Sequence, residues 1–160
     1  MAVCLFRPRS APVDALISRA YFPLMKETDP IALGLPHREP FIFVDEVIEL
    51  VPGESARGAK TFAPEEPFFR GHFPGDPLVP GVILTEALAQ IAGIAVARPG
   101  LRLAAIRGMK FPRAARPAQR IELEARKIGE AGGLFQFSVV ASVEGAAVAE
   151  GAVVLGGASA

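Results

Sequence analysis

The chain has 160 residues, 51% of them hydrophobic and 21% charged, and a mean hydropathy of +0.35. That length suits one domain with a core of its own, and that balance excludes a disordered polypeptide. The 17 basic and 17 acidic side chains cancel to a formal net charge of +0, which lacks the cationic footprint of a nucleic-acid binder. Cys4 is the single cysteine, so no internal disulfide forms. With His37 and His72 as the only histidines, no cluster has zinc-site spacing. The expectation is a reducing compartment with no structural metal. Met1 to Phe6 lacks the apolar segment and cleavage site of a secretory leader, which makes the cytoplasm the expected location.

Residues 1–30 read as an N-terminal extension. Val13, Leu16, Ile17 and Ala20 recur at helical spacing after Ser10 and Pro12, predicting one short amphipathic helix that ends by Asp29-Pro30. Residues 31–160 then read as a single domain. From Pro40 to Val51 the chain is rich in strand formers and closes on Pro52-Gly53, with Ala56 to Phe62 as its hairpin partner. Four prolines and three glycines between Glu66 and Gly81 forbid regular structure and predict a stiff, shaped loop.

Val82 to Ala97 is apolar on every face, interrupted only by Thr85, Glu86 and Gln90. Such a helix must be buried all round, and Glu86 and Gln90 speak against a membrane span. Further strands are predicted near Ala104 to Phe111, Ile121 to Lys127, Leu134 to Val143 and Ala147 to Leu155, parted by glycine-bearing turns. The economical arrangement is α+β, with an antiparallel sheet curled around one central helix.

The sequence holds no phosphate-binding glycine loop, no dinucleotide fingerprint, no metalloprotease motif and no serine nucleophile elbow. What remains is His72 among the prolines and Glu86 in the apolar helix. Apolar surroundings favour the neutral, proton-donating form of a carboxyl, and an imidazole titrates near neutrality, so Glu86 is a candidate acid and His72 a candidate base. An acid and a base without nucleophile or metal suit proton-transfer chemistry. A loop histidine is more often a structural hydrogen-bond donor than a catalyst, whereas a carboxyl in an apolar helix needs a reason to be there. Gln90, one turn beyond Glu86, either orients that carboxyl or merely satisfies it. Pro80-Gly81 opens the helix with unpaired N–H groups, a ready site for a carbonyl oxygen that becomes an oxyanion. It is equally an ordinary way to start a helix.

Leu35-Pro-His-Arg-Glu-Pro-Phe-Ile-Phe-Val-Asp45, Gly71-His-Phe-Pro-Gly75, Val79-Pro-Gly-Val82 and Glu86-Ala-Leu-Ala-Gln90 together resemble the (3R)-hydroxyacyl-[acyl-carrier-protein] dehydratase family of type II fatty-acid synthesis. The resemblance runs from about Leu35 to Leu155 in order and spacing. It implies a hot-dog fold, a homodimer with active sites at the subunit interface, and elimination of water from a 3-hydroxyacyl thioester to give the trans-2-enoyl thioester. Position by position it implies His72 as the base, Glu86 as the acid supplied by the partner subunit, and the Gly81 amide as the group binding the thioester carbonyl. Gln90 joins Gly81 as a substrate-binding candidate, and no cofactor is implied. Glu86 rather than Asp argues for dehydration without double-bond migration, and His37 is read as structural. Pro112 to Gln119 and the first 30 residues depart from the family pattern, leaving acyl-chain length and assembly into a trimer of dimers open.

Charge is unevenly spread along the chain. Nine basic residues against two acidic lie between Arg98 and Lys127, and nine acidic against three basic between Glu27 and Glu66. An acidic carrier protein bearing a phosphopantetheine arm suits the basic stretch, with Arg107, Lys110, Arg113 and Arg116 as docking candidates. Scattered solvated arginines explain the count equally well. Two alternatives to the dehydratase stay open: a hot-dog thioesterase, in which a helix carboxylate attacks or activates water, and a non-catalytic acyl-binding module.

Overall fold

A computed structural model describes residues 27–157. The helix expected around Val13 to Ala20 lies outside the described residues.

Six strands form one antiparallel sheet: β1 Glu46–Val51, β2 Ser55–Thr61, β3 Leu101–Lys110, β4 Arg120–Ala131, β5 Leu134–Val143 and β6 Ala146–Gly157. Their spatial order is β1-β2-β4-β5-β6-β3, which leaves β1 and β3 at the edges. The one α-helix among the described residues, α1 Gly81–Val96, contacts all six strands. Its Leu88, Ile91 and Ile94 are fully buried with Val47 of β1, Ile121 and Leu123 of β4, and Phe137 and Val139 of β5. This is the curled sheet around a central helix expected from the apolar run, and it is the hot-dog architecture.

Alternation explains the sheet's inner face. In the first half of β4 and along β5 every second residue is buried, Ile121, Leu123 and Ala125 from one and Phe135, Phe137, Val139 and Ala141 from the other, which is the period-two pattern of strands packed on one side. The β4–β5 turn falls on Gly132-Gly133, both with positive φ, a two-residue hairpin that glycine adopts without steric cost. The strands therefore run to Ala131, and Gly129 lies within β4 at a register shift rather than in a wider loop.

Gly58 of β2 marks the closest approach of sheet and helix. A Cβ there would stand 2.6 Å from the Glu46 carbonyl oxygen and 2.9 Å from Ile91 Cδ1, closer than packed atoms tolerate. The helix is also tied at its end, where Gly53 N–H donates to the Ala95 carbonyl at 2.7 Å.

β1 begins at Glu46, later than the run starting at Pro40 suggests. Residues 38–41 form a turn, with Phe41 N–H donating to the Arg38 carbonyl, and beyond it the Phe43 N–H and Phe41 carbonyl are engaged by the Gln90 side chain. A helix side chain takes the place a neighbouring strand would have filled. Ahead of that turn, the Thr28 carbonyl already accepts from Val47 N–H.

Candidate active site

His72 sits in the loop between a 3-10 turn, Pro67–Arg70, and α1. The loop is held mainly by its own backbone. Leu78 N–H donates to the His72 carbonyl at 2.9 Å, Phe73 and Asp76 exchange two bonds, and Val79 N–H donates to the Ala115 carbonyl. His72 Nδ1 lies 3.0 Å from the Leu78 carbonyl oxygen. Because a carbonyl only accepts, Nδ1 carries the hydrogen and the Nε2 lone pair is left to take a proton. Phe73 stacks on the imidazole at 4.1 Å between centroids, which restrains the plane of the ring.

Gly81 is the first residue of α1, and its cap Pro80 supplies no side-chain acceptor. Among the described residues neither the Gly81 nor the Val82 N–H has a hydrogen-bond acceptor, so the positive end of the helix faces outward with donors to spare. His72, Gly81, Leu84, Phe111 and Arg113 line one cavity of about 440 Å³. The Phe111 ring lies against Gly81 so closely that a Cβ would meet it at 2.9 Å. Neither Phe111 nor Arg113 was singled out as a wall of this site from sequence, although both fall in the basic, aromatic stretch that follows β3.

Glu86 occupies a different cavity. Its carboxyl, 22% exposed, faces a cleft of about 530 Å³ lined by Leu35, His37, Phe41, Ala89, Gln90 and Leu101 among others, with Arg98 and Arg102 on its wall. The helix is thus buried around most of its girth but not at Glu86. Gln90 is buried and fully engaged. Its Oε1 accepts from Phe43 N–H at 2.9 Å, and its Nε2 donates to the Phe41 carbonyl at 3.1 Å and to Glu86 Oε1 at 3.0 Å. The amide both orients the carboxyl and anchors the 41–43 segment. His37 Nε2 stands 3.5 Å from the same Glu86 oxygen, a contact that motif reading had treated as structural.

Within one chain, therefore, His72 and Glu86 line separate cavities, and no residue lines both. A string of phenylalanine contacts, Phe41–Phe43–Phe62–Phe68–Phe69, runs from the Glu86 cleft to the 3-10 turn before His72. The edge strand β3 has no fully buried residue, and Leu103 and Ile106 project into solvent.

The basic candidates divide. Arg107, Lys110 and Arg113 are exposed and make no ion pair among the described residues. Arg116 pairs with Asp76 at 2.7 Å, an exposed contact to the loop that carries His72.

Residues 35–152 match the family model described as a FabA-like domain. The chain is 46% identical over 124 residues to the 3-hydroxyacyl-[acyl-carrier-protein] dehydratase FabZ of Ruminiclostridium cellulolyticum, covering 73% of this chain and 87% of that protein. It is 39% identical over 125 residues to FabZ of Myxococcus xanthus, covering 73% and 82%. The chain belongs to the FabA-like family and, within it, groups with the FabZ dehydratases. Among solved structures, a chain of the dehydratase heterocomplex ApeI:P from Xenorhabdus doucetiae superposes with a TM-score of 0.68 at 16% identity, over 81% of this chain and 91% of that one, a likeness of fold.

Proposed function

We propose that this chain dehydrates (3R)-hydroxyacyl thioesters carried on acyl carrier protein to the trans-2-enoyl thioesters of fatty-acid synthesis, working as a homodimer. Its relatives bear that activity in their names, and no helix among the described residues is long and apolar enough to cross a membrane. The cytoplasmic setting and the dimer are parts of this proposal.

The observation that carries the residue roles is the tautomer of His72: Nδ1–H is spent on the Leu78 carbonyl, leaving Nε2 as a base in the cavity that Gly81 shares. The Gly81 N–H donates to the thioester carbonyl oxygen, where negative charge grows as the α-proton leaves. His72 Nε2 takes that proton, the Cα–Cβ double bond forms, and the Cβ–O bond breaks. Glu86 of the partner subunit protonates the departing hydroxyl, which leaves as water. Returning the proton from His72 to the carboxylate resets the pair.

The division of His72 and Glu86 between two cavities of one chain fits a site completed by a second chain. The exposed strand β3 supplies a surface on which two sheets can join edge to edge. Arg107, Lys110 and Arg113 form the docking face for the acidic carrier.

The test is to supply a 3-hydroxyacyl carrier-protein thioester and follow enoyl product and free thiol, with His72→Ala and Glu86→Gln in parallel. Enoyl product abolished by both substitutions supports the proposal. Thiol release without enoyl product would replace it with a thioesterase, and binding without turnover would leave an acyl-binding module.

A further inference from the structure

Glu86 is held at one oxygen only. Gln90 Nε2 donates to Oε1 at 3.0 Å and His37 Nε2 lies 3.5 Å from the same atom, while Oε2 has no hydrogen-bond partner among the described residues.

Burial decides which nitrogen of His37 carries the hydrogen. Nδ1 is buried and has no partner among the described residues, and an orphaned N–H donor is the rarer and costlier kind of unsatisfied group. A hydrogen on Nδ1 would also leave the Nε2 lone pair facing a carboxyl oxygen. With the hydrogen on Nε2 instead, the ring donates toward Oε1. The separation is long for a hydrogen bond, as such contacts commonly are before substrate closes the site.

His37 is itself braced. Arg38 Nη1 donates to the Leu35 carbonyl at 3.2 Å and to the His37 carbonyl at 2.7 Å, and the imidazole lies 5.9 Å from the Phe41 ring. Arg98 and Arg102 share the cleft but make no ion pair with Glu86.

We infer that His37 is a positioning residue for the acid: its Nε2–H joins the Gln90 amide on Oε1, and the pair reserves the free oxygen, Oε2, for the proton given to the departing hydroxyl. The inference rests on Glu86 being the acid of the reaction. With Gln90 alone as donor the carboxyl can turn about its own axis and offer either oxygen. Two donors on one oxygen remove that freedom.

The test compares His37→Gln, His37→Asn and His37→Phe by steady-state kinetics of enoyl formation, with thermal melting to report folding. The Gln amide nitrogen occupies nearly the position of Nε2, while that of Asn falls short at the level of Nδ1. The Gln variant is expected to keep kcat within about threefold of the parent. The Asn and Phe variants should lose about tenfold or more in kcat with KM little changed, the signature of a group acting after substrate is bound. Equal kcat in the Gln and Asn variants, at any level, would overturn the inference, and that comparison holds even if the Phe variant does not fold. Glu86→Gln, run beside them, separates the two layers: if it keeps full kcat, the acid assignment itself has failed, whereas parent-like rates in all His37 variants with an inactive Glu86→Gln remove only the role of His37.

Discussion

Mixing two inactive proteins should restore activity. Under the proposed roles His72→Ala lacks the base and Glu86→Gln the acid, and each is expected to be inert as a homodimer. In a mixed dimer one site joins His72 of one chain to Glu86 of the other and is intact, while its symmetry mate lacks both groups. Random exchange at equal concentrations makes about half the dimers mixed, each with one working site of two, so the plateau is roughly one quarter of the parent activity per chain. The figure follows from His72 and Glu86 lining cavities that share no residue. The assay is enoyl formation after the variants are mixed, dissociated with mild denaturant and refolded together, with each variant treated alone as control. No recovery, in a mixture shown by mass spectrometry to contain mixed dimers, would refute the division of the site between chains and require both groups to act within one.

Three further outcomes follow from particular contacts. Gly58→Ala forces a methyl against the Glu46 carbonyl and Ile91, and should cost about 2 kcal/mol, lowering the melting temperature by roughly 4–8 °C in calorimetry. Gln90→Ala strands the Phe43 N–H and the Phe41 carbonyl and frees Glu86. It should lose about 2–4 kcal/mol in denaturant titration as well as most of the turnover, whereas a purely structural Gln90 would spare kcat in the folded fraction. Reversing Arg107 and Lys110, which lie outside the His72 cavity, to Glu should raise KM for the carrier-bound substrate several-fold at low salt, with the gap narrowing as salt rises. KM for a short pantetheine thioester should stay unchanged, and an equal effect on both substrates would count against a docking face.

Much of the architecture is legible in the sequence because its cues are local. An apolar run with no polar face has to be a helix inside something, and the alternating β4 and β5 with the Gly132-Gly133 and Glu144-Gly145 turns supply the sheet to surround it. The start of β1 was less visible because its cause is distant: Gln90 reaches across 47 residues to Phe43, and no window around Pro40 records that. The chemistry divides in the same way. His72 and Glu86 stand out by residue type and setting, yet their place in separate cavities is a property of the folded chain. Arg116 stands among the docking candidates by sequence, and its pairing with Asp76, 40 residues away, is visible only once the loop is folded. The approach of the His37 ring to Glu86 is likewise set only by the fold.

Strand β3 carries a consequence for handling the protein in solution. An unpaired strand edge that presents Leu103 at 37% exposure and Ile106 at 52% offers backbone donors and acceptors to any extended segment that meets it. Joining two such edges in a closed pair saturates them, so assembly also protects against fibrillar or amorphous growth. Substitutions that loosen the pairing of β3 would then surface first as turbidity and loss of soluble yield, well before a long-lived single chain could be collected.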